Sequence, residues 1–359
     1  MKSIYKITLL LLLFPLIASA NIDDKKHEKS KTIKKEYKVN PDAKVAISNK
    51  YGNLNITTWD KNRVEIEVTI TVKGDDLDRI EDKLAGIDVE FETSSSLIYA
   101  KTRFEKEQKS WSFWKRNGNI NYQINYKIKM PKTNSVDLDN DYGRISLDQL
   151  SGKADIKCDY GKIYIGELSA ENNNINLDYC NTSSISYMKS GNINVDYSKI
   201  TIEESENLKV NADYSALKFN KIDNLNFNAD YGSIAIDEAI NVTGNSDYVN
   251  MRFGTIKKNL IIDADYGEIS VKRLVKDFED VNIDGQYTSI KIAVDTDTVF
   301  DFEFDLQYGS FKGESDKMEF YKKISKNSKK YYDGKFGKGK SNSKMTIRSQ
   351  YGGISIKEN

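Results

Sequence analysis

Apolar and polar residues alternate in short stretches along most of this chain, and a recurrent phrase, Asp-Tyr-Gly-x-Ile-x-Ile or a close variant, sets the register. With its tyrosine as position zero, apolar or small residues fall at −6, −4 and −2, as in Leu225, Phe227 and Ala229 before Tyr231, or Phe302, Phe304 and Leu306 before Tyr308. That is the period of a half-buried strand. After the tyrosine the apolar positions move to +3 and +5, as in Ile234 and Ile236, Ile269 and Val271, or Ile354 and Ile356. The parity has changed. A bend at the tyrosine and its small successor (Gly143, Gly161, Ser198, Ser215, Gly232, Gly267) brings both apolar faces to one interior.

Copies of the phrase stand at Tyr142, Tyr160, Tyr179, Tyr197, Tyr214, Tyr231, Tyr248, Tyr266, Tyr287 and Tyr308, at intervals of 17 to 21 residues, with an early copy at Tyr51 and a last one at Tyr351. Two short strands cannot bury their apolar faces alone, but copies stacked about 4.8 Å apart make a continuous core roughly 55 Å long. The repeat therefore predicts an all-β chain, a parallel β-solenoid (β-helix) of about 12 rungs. A sandwich or propeller of hairpins needs tight two-residue turns, and no regular Asn-Gly or Asp-Gly signal joins the strands. Between Ile56 and Val136 the period breaks into longer alternating runs, Val64 to Val72, Val89 to Arg103 and Ile120 to Met130, with a helical pattern from Asp75 to Leu84. Residues 45–135 thus read as a first rung plus an inserted antiparallel sheet and helix, an N-terminal cap over an edge that would otherwise pair with other chains. Residues 136–359 carry the remaining rungs, with a basic insertion at 317–344.

The first twenty residues combine Lys2 and Lys6, an apolar stretch from Ile7 to Ile17, and Ala18-Ser19-Ala20, the pattern of a cleaved signal peptide. The mature chain then starts at Asn21 and is exported to the periplasm, the cell surface or beyond. Its apolar stretch is well below the roughly 20 residues that span a bilayer, so no membrane anchor is expected. Residues 21–44 read as a flexible polar leader. Without Lys2 and Lys6, 52 basic residues face 54 acidic ones, which gives no reason to expect a nucleic-acid partner. The single histidine, His27, lies in the leader, so histidine-based acid/base or nucleophilic chemistry is excluded. Catalytic residues and cofactors are not expected.

Aspartate precedes the tyrosine in eight consecutive copies: Asp141, Asp159, Asp178, Asp196, Asp213, Asp230, Asp247 and Asp265. Stacking aligns these carboxylates in a column, where repulsion must be relieved. A calcium ladder is one reading, although the Gly- and Asp-rich nonapeptide of calcium-binding β-rolls is absent; capping of backbone N–H groups at the bend is the favoured one. The tyrosines share parity with the apolar positions before them, and small residues (Cys158, Ala212, Ala229, Ser246, Ala264) stand at −2, so an interior or corner ladder is preferred to a solvent-facing, sugar-binding row. Cys158 and Cys180 fall in adjacent copies, and spacing leaves open whether they form a disulfide. Ten lysines lie between Lys317 and Lys344; a solvated, flexible insertion is the favoured reading, and Lys322, Lys323, Lys326, Lys329 and Lys330 make it the candidate surface for an anionic partner.

Lys50-Tyr51-Gly52-Asn53-Leu54-Asn55-Ile56, Trp59-Asp60-Lys61, Tyr126-Lys127-Ile128-Lys129-Met130-Pro131 and the Asp-Tyr-Gly-x-Ile series together resemble the bacterial "putative adhesin" β-strand-repeat family, over roughly Val45 to Lys357. The resemblance implies an exported single-stranded β-helix without catalytic residues. The Tyr179 copy departs from the pattern, with Cys180 in place of glycine and Ile185 one place late, which predicts a local bulge. Two functions fit this reading: an adhesin-like or structural module of the cell envelope that meets polysaccharide or another protein, or a periplasmic ligand-sensing or regulatory protein.

Overall fold

A computed structural model describes residues 27–105, 120–313 and 316–359. The proposed signal peptide lies outside them. The described chain is nearly all β, with one helix, in a single mixed sheet. No helix among the described residues is long and apolar enough to cross a membrane.

The repeat dictates most of the pairing. Ala154–Asp159 lies parallel to Ser135–Asp141 on one side and to Asn173–Asp178 on the other, with Ile156 beside Leu138 and Ile175. The same register continues through Ile175 with Ile193, Ile193 with Val210 and Val210 with Phe227. Each residue meets its counterpart one copy away, so the apolar positions form columns that are buried throughout. Strands after the tyrosine do likewise, with Ile163 beside Ile145 and Ile165 beside Leu147. In the Tyr179 copy, Cys180 is buried and Thr182 adopts a left-handed backbone, which absorbs the extra residue before Ile185.

At the amino-terminal end the partners change. Lys44–Lys50 pairs with Ser135–Asp141 and, on its far side, with Leu97–Phe104, which turns back antiparallel to Ile87–Thr93. Leu54–Trp59 pairs with Asn121–Pro131, then Arg63–Gly74 and His27–Lys38 follow antiparallel. The stretch read as a flexible leader is therefore, from His27 on, a 12-residue edge strand. Its side chains are mostly exposed, so local hydropathy gave no sign of it; pairing to Arg63–Gly74 and ion pairs such as Lys34–Glu67 at 2.9 Å hold it. The helix Leu77–Ala85 starts at Asp76, whose carboxylate accepts the Arg79 N–H, and buries Ile80.

At the other end the order of copies departs from the order of the sequence. Lys344–Gln350 slots in parallel between Asp280–Val294 and Phe300–Gln307, so the Tyr351 copy sits between those of Tyr287 and Tyr308. The outer edge of Phe300–Gln307 pairs antiparallel with Lys329–Phe336, which pairs with Met318–Lys326. The basic insertion, read from sequence as a solvated loop, is a β-hairpin covering this edge. Phe302 and Phe304 of the covered strand and Phe336 of the hairpin are all buried.

Candidate functional site: the repeating outer face

All twelve repeat tyrosines have a left-handed backbone, with φ between 49° and 61°. For a residue with a Cβ this conformation costs roughly 1–2 kcal/mol. It also interrupts the alternation of strand side chains: the tyrosine swings outward, and its small successor takes the inward place. The ladder therefore stands at the corner, and the interior alternative is corrected. The rings are 38% to 58% exposed. They still stack, from Tyr51 through Tyr142, Tyr160, Tyr179, Tyr197, Tyr214, Tyr231, Tyr248, Tyr266, Tyr287 and Tyr351 to Tyr308, at centroid separations of 4.7 to 5.1 Å with planes within 8°. Aromatic pairs contribute about 0.5–1.5 kcal/mol beyond burial, comparable to the backbone cost. Because each ring covers its neighbour's face, the column offers solvent its edges and hydroxyls. Flat sugar faces have no ring face to stack on along its length.

The inward slot after the tyrosine is tight. A Cβ on Gly143 would lie 1.8 Å from the Gly52 carbonyl oxygen. Where the slot holds a hydroxyl, that group satisfies backbone: Ser198 Oγ donates to Asp196 O at 2.7 Å and accepts the Cys180 N–H at 2.6 Å. Cys180 fills the same slot, its thiol donating to Cys158 O at 3.0 Å. Both cysteines are free and buried; hydrogen bonding with Cys180 and burial hold the Cys158 thiol well above its ordinary range, so it stays protonated.

The aspartates form a single file beside the tyrosines. Burial, then the flanking carboxylates, raise the Asp196, Asp230 and Asp265 pKa values; for Asp196 the neighbours are Asp178 and Asp213. Among the described residues, ion pairs to the file occur at its amino-terminal end only, Lys50–Asp141 at 2.7 Å and Lys157–Asp159 at 3.0 Å. A backbone N–H reaches Asp196 from Asp213 in the next copy, not from its own bend, and it does not cancel the repulsion. This replaces the local capping expected from sequence. Among the described residues, no three carboxylate, imidazole or thiol side chains gather as a metal site would require.

The five lysines of the basic insertion lie on the hairpin. Lys322 stands over the Tyr331 ring at 5.2 Å, Lys323 over Phe320 at 5.2 Å, and Lys330 donates to Gly309 O at 3.0 Å. Lys326 and Lys329 face each other across its turn. Tyr321 and Ile324 are exposed on the same strand.

No family model and no curated protein matches this chain. Among solved structures it is similar to a "putative cell adhesion protein" from Clostridium sporogenes, at 11% identity and a TM-score of 0.18, over 92% of this chain and 100% of that one. A "putative adhesin" from Bacteroides fragilis is 12% identical, with a TM-score of 0.24 and coverage of 91% and 97%. A "putative lipid binding protein" from Parabacteroides distasonis is 13% identical, with a TM-score of 0.28 and coverage of 90% and 96%. Likeness at this level carries no argument about what the chain does.

Two asparagine columns on the outer face escaped the sequence reading. At −3, Asn194 donates to Asn176 at 2.7 Å and Asn211 to Asn194 at 2.9 Å. At −7, Asn224 donates to Asn207 at 2.8 Å, Asn241 to Asn224 at 2.7 Å and Asn259 to Asn241 at 2.8 Å. Aligning the copies on their tyrosines would have exposed both columns, since asparagine recurs there at the repeat interval.

Proposed function

We propose that this chain is an exported, non-catalytic parallel β-solenoid of about 12 rungs that serves as an adhesin-like interaction module of the cell envelope, with envelope or surface polysaccharide or another protein as partner. The observation that carries this reading is the unbroken file of tyrosines on the outside, flanked in the middle copies by aspartates and asparagines. A stack of copies needs matching residues inside to fold; polar residues that also match outside offer a partner the same groups at each step. Structural capping at both ends supports the same reading, because it keeps a long sheet from pairing with its own kind. The carboxyl-terminal hairpin adds a point of contact for an anionic polymer, since Lys322, Lys323, Lys326 and Lys329 make no ion pair among the described residues.

The hairpin contact has a direct test. Replacing Lys322, Lys323, Lys326, Lys329 and Lys330 with glutamine should weaken retention on isolated cell envelopes without shifting the melting temperature. Raising salt from about 0.05 to 0.5 M should act on the wild type in the same way, because the Debye length falls from roughly 14 to 4 Å. Unchanged retention in the five-fold variant would remove the hairpin from the interaction.

A further inference from the structure

Five successive copies share a groove on the outer face, running along the stack beside the asparagine column at −7. Its floor and walls come from positions −8 to −5 in the copies from Tyr179 to Tyr248. The pattern puts Asn207, Asn224 and Asn241 in one row and Lys209, Asn226 and Thr243 in the next. Four steps of about 4.8 Å make the groove roughly 19 Å long.

Three observations limit what it takes. Inside the column each carboxamide gives one N–H and accepts one, as Asn224 does between Asn207 and Asn241. A carboxamide has two donors and two acceptor lone pairs, so a stacked one such as Asn224 keeps one donor and one acceptor for a ligand, while Asn172 and Ser190 hold the −7 row in the two copies before the column. The backbone beneath is engaged already, Leu208 with Leu225 in the parallel ladder, so an added peptide strand finds no free edge there. Charge in the groove balances: Lys189 and Lys209 against Glu171 and Glu206, with Lys189 tied to Glu171 at 3.0 Å and Glu206 accepting from the Tyr187 hydroxyl at 2.8 Å. Neither a polyanion nor an acyl chain gains from such a lining. A neutral chain bearing a donor-acceptor group at each step does.

We infer that this groove binds an uncharged oligosaccharide lying along the stack, its hydroxyls paired with the spare donors and acceptors of the −7 asparagines. The inference rests on the reading of the chain as an interaction module, but it uses a surface separate from the basic hairpin. Sugar hydroxyls are both donors and acceptors, as the carboxamides are, and a polymer repeats as the copies do.

The test titrates the mature protein with cellohexaose, the N-acetylglucosamine hexamer and hexagalacturonate, reading heat and melting temperature. A neutral hexamer should bind, at least tenfold tighter than its dimer, because the groove spans five copies. Asn226→Trp or Thr243→Trp fills the groove without touching the asparagine column, and should weaken that binding at least tenfold at unchanged melting temperature. The five-lysine variant should bind as the wild type does, so a failure of the hairpin contact and a failure of the groove are told apart. Absence of binding to either neutral hexamer, preference for the uronate, or indifference to both tryptophans would each overturn the inference. Asn224→Ala separates roles: a lower melting temperature with undiminished binding would make the column structural only, also against it.

Discussion

Between Ser135 and Asp230 each strand meets a neighbour that repeats its own pattern, whereas at both ends of the sheet the partner is a strand of another kind. In the middle, Ile156, Ile175 and Ile193 sit side by side, and the sequence interval between them equals one step of the stack. At the ends the partners run antiparallel, His27–Lys38 on Arg63–Gly74 and Lys329–Phe336 on Phe300–Gln307. Like residues extend a stack without limit; unlike ones stop it. The difference explains why a long parallel sheet need not recruit further chains.

The sharpest way to break this comparison is to change the length of the middle. Deleting Asn211 to Phe227 removes one period and lets Val210 run into Asn228 with every column in register. That variant should melt cooperatively and keep its strand signal in circular dichroism. Deleting Asn211 to Phe219 alone puts inward residues outside and should abolish cooperative melting. Equal outcomes for the two deletions would refute the stacking of copies.

A smaller effect is expected where the first copy meets the middle. Gly143→Ala forces a Cβ to within 1.8 Å of the Gly52 carbonyl oxygen, and the shift needed should cost about 1–3 kcal/mol. Gly285→Ala is the control inside the stack, since its Cβ would sit 3.3 Å from Thr288 Cβ and needs only a slight adjustment. Urea melts of the two variants should separate clearly, and equal midpoints would mean that the contact at Gly143 is not a tight one.

The smallest effect concerns charge. Asp196 has its pKa raised by burial and by Asp178 and Asp213, so the folded chain takes up a proton there more readily than the unfolded chain. Lowering the pH through that range therefore stabilises the fold at this site, and the penalty is fully present at neutral pH. Asp196→Asn should add on the order of 0.2–1 kcal/mol at pH 7, with the gain shrinking as the wild-type carboxyl becomes protonated. At the ends the sign reverses. Glu67 and Glu358 are lowered by hydrogen bonds from Lys34 and Lys317, so acid removes their contribution. Melting temperatures of wild type, Asp196→Asn and Glu67→Gln between pH 3 and 7 check both signs; a constant difference between wild type and Asp196→Asn across that range would leave the column without coupling.

How much of this was legible in the sequence follows the same division. The inward columns were plain because a period of two inside a period of 17 to 21 leaves little choice of face. Tyrosine orientation was not, because parity assumes an extended backbone and the tyrosines leave it. The strand His27–Lys38 carries almost no buried side chain, so it has no hydropathy signature of its own. Nor does any local pattern tell Tyr351 to lie next to Tyr287: copies that resemble one another inside are interchangeable neighbours, and the choice falls to the hairpin that occupies the far edge of Phe300–Gln307. The asparagine columns had a signal, recurrence at −3 and −7, which emerges only when copies are compared position by position.

The inserted position of the Tyr351 copy governs the order of events when the chain is made. Phe300–Gln307 leaves the ribosome before Lys344–Gln350, yet in the finished molecule it is the outer of the two. A nascent chain that simply added each copy to the last would set Phe300–Gln307 directly against Asp280–Val294 and close the gap that Lys344–Gln350 must enter. The hairpin of Met318–Lys326 and Lys329–Phe336 forms from neighbouring residues, an event of microseconds, and gives Phe300–Gln307 a partner on its outer side, whereas docking between the two copies waits for residues far along the chain. An order that avoids this trap stacks copies from the amino end as far as Tyr287 and closes from outside inward, with Lys344–Gln350 and the strand Gly353–Glu358 that follows it as the closing pieces.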